Sequence, residues 1–260
     1  MPDFAANLSF MFTEWTFLDR FKAAADAGFT AVEYLFPYDH APDELARRLE
    51  SAGVSQALFN LPPGDWAAGE RGLAALPDRF EEVQAGLERA LPWIEATKVP
   101  RVHLMAGIAD WNDPLAMAAY RRSLEHVGGR LAEAHVDLLI EAINPIDMPG
   151  YFLNSVDNAA GLIPLMQRPN LKLQFDIYHC QIIHGEVTRR MRRLMPIIGH
   201  VQIASVPGRN EPDGEELNYP YLFQELDLLG YGGFVGCEYR PRGKTLDGLG
   251  WLADTGGPLL

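Results

Sequence analysis

The sequence predicts an α/β protein, a single (β/α)8 TIM barrel that occupies residues 1–260. Short apolar runs of strand character alternate along the whole chain with amphipathic or Ala/Leu/Arg-rich helical stretches. No linker or low-complexity stretch interrupts this alternation, and 260 residues is an ordinary length for one such barrel. An open doubly wound sheet is the alternative, but no glycine-rich phosphate-binding loop follows the first strand. These observations favour the closed barrel.

Eight apolar runs supply the predicted strands: FAANLSF (4–10), TAVEYLF (30–36), VSQALFN (54–60), RVHLMAG (101–107), VDLLIEAIN (136–144), LKLQFDIY (171–178), HVQIAS (200–205) and FVGCEYR (234–240). The clearest helical stretches between them are Phe17–Ala27, Asp43–Ala52, Arg79–Ala96, Pro114–Ala134 and Asn218–Leu229. Gly28 and Gly53 follow the first two helices, the usual place of a helix-ending glycine, and Asp43 suits the start of the second helix. The loops at 61–72 and 206–220, after the third and seventh strands, are long and polar, which is typical of segments that cover a substrate.

The composition indicates a soluble globular protein, either an enzyme or a binding protein. Hydrophobic residues make up 48% of the chain and charged residues 22%, which supplies a large core. A formal net charge of −13 disfavours binding to nucleic acid, although one well-placed arginine or a metal ion can still bind a small anion. No apolar run approaches the roughly 20 residues of a membrane helix, and the start of the chain lacks the basic segment of a signal peptide. Cys180 and Cys237 do not form a disulfide framework, which predicts a reducing, cytoplasmic location. The net charge and the lack of a long apolar run predict that neither nucleic acid nor a membrane is a partner.

Four polar residues stand near the ends of the fifth to eighth predicted strands: Glu141, Asp176, Gln202 and Glu238. They recur at intervals of roughly 25–36 residues, about one strand-plus-helix unit. The carboxyl ends of barrel strands meet at one face, where the active sites of this fold lie. Buried carboxylates are costly unless a partner neutralises them, and three carboxylates with one amide oxygen suit Mg²⁺ or Mn²⁺ better than zinc. The pattern therefore predicts a divalent-metal site formed by these four side chains.

The two glutamates of this set suit acid/base chemistry. Glu141 and Glu238 stand on the fifth and eighth strands, which could place them across the barrel mouth. A metal ion that binds two adjacent oxygens of a sugar-like substrate polarises its carbonyl and makes the neighbouring C–H acidic. Two glutamates on opposite sides can then remove and return a proton through an enediolate. This arrangement indicates isomerisation or epimerisation of a hydroxy-carbonyl compound.

Two further residues could contact a substrate, His179 and Arg209, and Asp147 stands on a nearby loop. His179 follows Asp176 by three positions, so it would lie on the loop just above it and could hydrogen-bond a substrate hydroxyl. Asp147 and Arg209 stand on the loops after the fifth and seventh strands, and an arginine there could bind a carboxylate bidentately. His103, in the fourth strand, is interpreted either as a core histidine with satisfied hydrogen bonds or as a ligand.

Five groups of segments carry a resemblance to a known family over nearly the whole chain: FNLPPGDWAAGERG, IEAIN with DMPGY, FDIYHCQ, IGHVQIA with PGRNEP and ELNYPYLF, and GFVGCEYRP. Together they resemble the hydroxypyruvate isomerase family of the xylose-isomerase-like TIM barrels. The resemblance implies that Glu141 and Glu238 are the acid/base pair, and that a divalent metal is held by Glu141, Asp176, Gln202 and Glu238. Related ketose 3-epimerases usually have a histidine at the position of Gln202, so the glutamine favours the hydroxypyruvate isomerase branch. Similarity to those epimerases implies that Asp147, His179 and Arg209 contact substrate oxygens.

The chain departs from the pattern of this family at two places. Phe59 stands where a histidine is common, and Ser205 with Val206 stands where Asp-Asn is common. None of these residues belongs to the predicted metal site, so the predicted chemistry is unaffected. All lie near the substrate loops and therefore bear on which substrate is bound.

The predicted activity is the interconversion of hydroxypyruvate and tartronate semialdehyde, an aldose–ketose type isomerisation in glyoxylate metabolism with Mg²⁺ or Mn²⁺ as cofactor. A 2-oxo-tetronate isomerase and a ketose 3-epimerase are alternatives with the same chemistry. A phosphodiesterase of the endonuclease IV type shares the barrel but needs several zinc ions, many histidines and a basic face, and a non-catalytic binding module is a further alternative. The predicted partner is a small hydroxy-keto acid, and a homo-oligomer formed through the outer helices remains open.

Overall fold

The computed structural model describes residues 2–254 and shows a closed barrel in which parallel strands follow one another in chain order. The strands are β1 (Asp3–Asn7), β2 (Ala31–Glu33), β3 (Ser55–Asn60), β4 (Arg101–His103), β5 (Asp137–Glu141), β6 (Leu171–Asp176), β7 (Ile198–Ile203) and β8 (Phe234–Cys237). Strand β1 closes the barrel by pairing with β8, with Ala5 opposite Gly236. The predicted TIM barrel is therefore confirmed, and each predicted strand run overlaps an observed strand.

Helices connect the strands. They are α1 (Arg20–Asp26), α2 (Pro42–Ala52), α3 (Phe80–Thr97), α4 (Pro114–Glu133), α5 (Val156–Leu165), α6 (Ile177–Ile183), α7 (Val187–Leu194), α8 (Tyr219–Leu228) and α9 (Gly250–Asp254). All five predicted helical stretches are present, the first as a 3-10 turn (Phe17–Asp19) that continues into α1. Helices α5, α6, α7 and α9 are additional to the predicted set.

Polar side chains and prolines begin several of these helices. Asp113, Ser155 and Asn218 accept hydrogen bonds from backbone N–H groups in the first turns of α4, α5 and α8. Helix α2 begins at Pro42, one residue before the predicted Asp43 start. Asp43 lies instead in the first turn, where its negative charge complements the helix dipole.

The interior of the barrel is polar near its centre. Glu33 on β2 accepts hydrogen bonds from Asn7 Nδ2 at 3.0 Å and Gln202 Nε2 at 2.8 Å, and its other oxygen lies 2.7 Å from His200 Nε2. A Cβ atom on Gly236 of β8 would lie 2.3 Å from this carboxylate, so the glycine leaves room for it. The network lies below the mouth and reaches it through Gln202.

Among residues 2–254, no helix combines the length and the hydrophobicity that a membrane span requires.

Candidate active site

Three of the predicted metal ligands meet at the carboxyl ends of the strands. Glu141 is the last residue of β5, Asp176 is the last residue of β6, and Glu238 directly follows β8. Together with His179, each offers one ligand atom, and these atoms lie within 4.8 Å of one another. The predicted loop position of His179 is wrong: it lies in the first turn of α6, because that helix follows β6 directly. All four side chains are buried. The structure thus brings together three predicted ligands and one predicted substrate contact.

The fourth predicted ligand, Gln202, lies beside Asp176 in the register of β6 and β7. Its Nε2 donates a hydrogen bond to Glu33 at 2.8 Å, which directs the amide oxygen away from Glu33. That oxygen accepts a 2.6 Å hydrogen bond from Nε2 of Gln174, whose side chain lines the site cavity. The Glu33 contact therefore orients Gln202 with its oxygen toward the Gln174 side.

Two buried carboxylate oxygens of the cluster have no hydrogen-bond partner within the part of the chain that the structure describes. They are Glu141 Oε1 and Asp176 Oδ2. Burying such oxygens without a partner is costly, and a bound cation would offset this cost. Oxygen-rich ligand sets of this kind suit hard divalent ions. The residues present therefore fit a metal ion.

Burial dominates the proton affinity of these carboxyl groups. It raises the pKa of Glu238 to about 8, although the neighbouring Arg209 acts in the opposite direction. The pKa of Glu141 is raised well above its ordinary range by burial and then by the charges of Glu238 and Asp176. Burial also raises the pKa of Asp176. Without a cation, the cluster therefore retains protons that ordinary carboxyl groups release.

Arg209 brings a positive charge to this cluster. Its Nη2 donates to Glu238 Oε2 at 2.7 Å and its Nη1 to Asp147 Oδ2 at 3.0 Å. The guanidinium also stacks over the ring of Tyr178 at 4.7 Å. Two predicted substrate contacts, Asp147 and Arg209, are thus paired with each other at the mouth, and Arg209 is also paired with a catalytic candidate.

The hydrogen bonds around His179 indicate which ring nitrogen carries its proton. Asn144 Oδ1 accepts from the backbone N–H groups of Ile146 (3.0 Å) and Asp147 (2.9 Å), so its Nδ2 faces His179 Nδ1 at 2.7 Å. Nδ1 therefore accepts a hydrogen bond. Burial holds the pKa of His179 well below its usual range, so the ring is neutral and its proton lies on Nε2. This N–H points toward Glu141 and Asp176, whose nearest oxygens are 3.9 and 3.7 Å away.

This tautomer makes His179 a hydrogen-bond donor at the centre of the site. An imidazole nitrogen that carries a proton has no lone pair for a metal. Although His179 lies within the geometric cluster, its hydrogen bonds favour the predicted role of substrate contact over the role of metal ligand.

A cavity of about 540 Å³ lies above the cluster, a size that suits a small molecule. Besides the expected residues, its walls contain residues that the sequence patterns did not single out as site residues: Phe10, Trp66, Arg71, Gln174 and Arg240. Arg71 belongs to the segment FNLPPGDWAAGERG, but no local sequence feature distinguishes it from an ordinary surface arginine.

Arg71 is a preorganised cation in this wall. Its Nη1 donates to the carbonyl oxygens of Trp66 at 3.1 Å and Glu70 at 2.8 Å, and its guanidinium stacks on the Trp66 ring at 4.0 Å. In residues 2–254 no carboxylate forms an ion pair with it. Arg71 thus presents an unneutralised positive charge to the cavity.

His103 also lines this cavity. It ends β4 and is 1% exposed, and burial lowers its pKa to about 3, so the ring is neutral. Neither ring nitrogen has a hydrogen-bond partner within the described residues. The expectation of a core histidine with satisfied hydrogen bonds is therefore wrong. His103 ends β4 as Glu141 ends β5, and this strand-end position could have marked it as a site residue.

The fold and the buried carboxylate cluster at its mouth define a TIM-barrel enzyme with a site that could hold a metal ion. Residues 21–255 match the family model described as xylose isomerase-like TIM barrel. A 2-oxo-tetronate isomerase from Cupriavidus necator is 54% identical over 97% of this chain and 98% of that protein. Hydroxypyruvate isomerase from Escherichia coli is 42% identical over 97% of this chain and 98% of that protein. A solved structure from Brucella melitensis, described as an AP endonuclease of family 2, is 47% identical, with a TM-score of 0.96 over 98% of this chain and 99% of that one.

The chain belongs to the xylose isomerase-like TIM barrel family and, within it, to the isomerases that include hydroxypyruvate isomerase and 2-oxo-tetronate isomerase. This confirms the resemblance inferred from the sequence segments and the prediction that the protein is an isomerase.

Proposed function

We propose that the protein interconverts hydroxypyruvate and tartronate semialdehyde through an enediolate, with Glu141 and Glu238 as the acid/base pair. One observation carries this proposal: the two glutamates lie at the ends of β5 and β8 and line the same cavity. Their raised pKa values suit groups that exchange protons near neutral pH. One glutamate removes the proton from the hydroxyl-bearing carbon, and the other delivers a proton to the former carbonyl carbon. The hydroxyl proton passes to the former carbonyl oxygen, so that no net proton is gained or lost.

The proposed cofactor is Mg²⁺ or Mn²⁺, held by Glu141, Asp176, Gln202 and Glu238. The unpartnered buried oxygens of Glu141 and Asp176 support this ligand set, and Gln202 lies beside Asp176 in the register of β6 and β7. A divalent ion there polarises the substrate carbonyl and makes the adjacent C–H more acidic. The Nε2–H of His179 donates a hydrogen bond to a substrate oxygen, and this bond strengthens as that oxygen gains negative charge.

The substrate carboxylate is proposed to bind Arg71. Arg209 is already paired with Glu238 and Asp147, whereas Arg71 is preorganised and has no acidic partner among the described residues. Arg209 and Asp147 remain proposed contacts to the substrate's oxygens at the mouth. An arginine that binds a carboxylate favours keto acids over free ketoses, which lack this group.

A second candidate substrate is 2-oxo-tetronate, because the Cupriavidus necator relative at 54% identity bears that name. Hydroxypyruvate and 2-oxo-tetronate share the carboxylate, the adjacent ketone and the neighbouring hydroxyl-bearing carbon. They differ by one hydroxymethyl group, and a cavity of about 540 Å³ accommodates either. The proton transfers and the residues that perform them are the same for both.

A nuclease activity has less support, although the Brucella melitensis structure is described as an AP endonuclease. The net charge of −13 opposes binding to a phosphate backbone. Only two imidazoles, His103 and His179, line the described cavity, and the hydrogen bonds of His179 give it a proton where a metal would bind.

A substrate panel tests the proposal. Purified protein with Mn²⁺ is assayed with hydroxypyruvate, 2-oxo-tetronate and a free ketose, and proton exchange with heavy water is followed by NMR. We expect turnover of one or both keto acids and little turnover of the ketose. Glu141→Gln and Glu238→Gln should each lower kcat by about 100-fold or more, the usual scale for loss of a general acid or base.

The matched control is Glu133→Gln, which alters an exposed glutamate on α4 whose side chain is 67% exposed. This variant should retain wild-type turnover. Full turnover in both active-site variants on every keto acid of the panel would contradict the two-glutamate mechanism.

A further inference from the structure

His103 occupies the wall of the site cavity beside Glu141. Its Nδ1 lies 3.9 Å from Glu141 Oε2, which is too long for a hydrogen bond. A hydroxyl oxygen placed about 2.8 Å from both atoms fits this gap, accepting from the imidazole N–H and donating to the carboxylate. The distance therefore matches one ligand oxygen that bridges the two side chains.

The hydrogen bonding of His103 differs from that of the other buried histidines. His179 is bonded to Asn144 and His200 to Glu33, both at 2.7 Å. His103, by contrast, makes no hydrogen bond through either ring nitrogen within the described residues. Buried polar groups in folded proteins are nearly always bonded, so an imidazole with two open positions facing a cavity points to a ligand. The ring is not among the side chains whose ligand atoms lie within 4.8 Å of one another.

We propose that His103 is a substrate-contacting residue whose ring donates a hydrogen bond to the substrate hydroxyl that also contacts Glu141. This inference rests on the proposed function for the identity of the substrate. The hydrogen bond fixes the hydroxyl-bearing carbon against Glu141, and the substrate supplies the partner that the protein does not. The ring acts as a neutral donor and transfers no proton.

The test compares His103→Leu with His200→Leu. Leucine at position 103 removes two unpartnered nitrogens, so the melting temperature should equal or exceed that of the wild type, while kcat/KM should fall about 10- to 100-fold. Leucine at position 200 breaks the contact with Glu33, so this control should melt at a clearly lower temperature. His103→Asn, which retains a donor and an acceptor, should recover part of the lost kcat/KM.

Ligand binding gives a readout that does not depend on turnover. D-Glycerate, a hydroxy acid without the ketone, is added with Mn²⁺, and the shift in melting temperature is measured. The wild type should show a shift that His103→Leu largely loses, while the shift caused by Mn²⁺ alone should stay unchanged. If the wild type shifts with D-glycerate but isomerises no keto acid, the proposed function fails and the role of His103 in binding stands.

Three results would overturn the inference. The first is a drop in the melting temperature of His103→Leu as large as that of His200→Leu. The second is a D-glycerate shift that His103→Leu retains in full. The third is a wild-type melting temperature that shifts neither with D-glycerate nor with hydroxypyruvate added in the same way.

Discussion

At the residue scale, one hydrogen bond decides what His179 can do. The Asn144 amide is held by two backbone N–H groups, and its remaining face donates to Nδ1 of the ring. The imidazole proton is thereby placed on Nε2, next to the carboxylates. Asn144, which does not line the cavity, thus makes His179 a hydrogen-bond donor and not a metal ligand.

Replacing Asn144 by aspartate should move the imidazole proton of His179 from Nε2 to Nδ1. The carboxylate keeps its contacts to the backbone of Ile146 and Asp147 but accepts from Nδ1, so Nε2 loses its proton and offers a lone pair. We expect kcat to fall about 10- to 100-fold while Mn²⁺ binds as tightly as in the wild type or more tightly, as measured by titration calorimetry. Asn112→Asp, at an exposed position, should alter neither quantity. Weaker Mn²⁺ binding with unchanged kcat would show that the assignment of the tautomer is wrong.

At the element scale, the junction of β6 and α6 aims two functional groups at once. Oδ1 of Asp176 accepts from the backbone N–H groups of Tyr178 (2.7 Å) and His179 (3.3 Å), which caps α6. Its Oδ2 is left without a partner among residues 2–254 and faces the cluster. The run LKLQFDIY was predicted as one continuous strand because apolar periodicity cannot mark a strand that turns into a helix without an intervening loop. This is why α6 was not predicted, although Asp176 before it and His179 within it were predicted as site residues.

The close contact between Gly236 of β8 and Glu33 of β2 should affect metal binding. Gly236→Ala would force Glu33 to move, because the new Cβ would lie 2.3 Å from its carboxylate, and Glu33 orients Gln202. We expect a loss of about 1–3 kcal/mol in the free energy of unfolding, measured by urea denaturation, together with weaker Mn²⁺ binding. Gly232→Ala is the control, since its Cβ would meet no atom within 4 Å. Unchanged Mn²⁺ affinity in a folded Gly236→Ala protein would show that Glu33 does not influence metal binding.

At the scale of the whole molecule, the barrel brings together carboxyl groups that repel one another. Glu141, Asp176 and Glu238 lie at the ends of separate strands. The cation next to them is Arg209, whose Nη2 lies 2.7 Å from Glu238 Oε2 and 3.9 Å from Asp176 Oδ2. Their raised pKa values mean that the metal-free protein binds protons that the unfolded chain releases. A divalent cation would remove the need for these protons.

The stability of the metal-free protein should therefore fall as the pH rises. For Glu238 the window runs from about 4.5, its ordinary pKa, to about 8 in the folded state, and its stabilising proton is lost as the pH passes through the upper value. Adding Mn²⁺ should reverse the trend, since deprotonated carboxyl groups bind it better. At a concentration 100 times its dissociation constant it should contribute about 2.7 kcal/mol. Thermal melts from pH 5 to 8.5, with EDTA or Mn²⁺, check both expectations. A Glu141→Gln protein that gains the full Mn²⁺ increment would contradict the proposed ligand set.

The sequence by itself determined the barrel and the positions of its strand-end carboxylates. Both follow from local patterns: apolar periodicity marks each strand, and a buried acid at a strand end stands out against the residues around it. Only the tertiary structure decided that Arg209 pairs with Glu238, that Asn144 places the proton of His179, that Gln202 is oriented by Glu33, and that His103 has no partner among the described residues. These facts depend on contacts between side chains that are mostly far apart in the chain. No local pattern encodes such contacts, because closure of the barrel creates them.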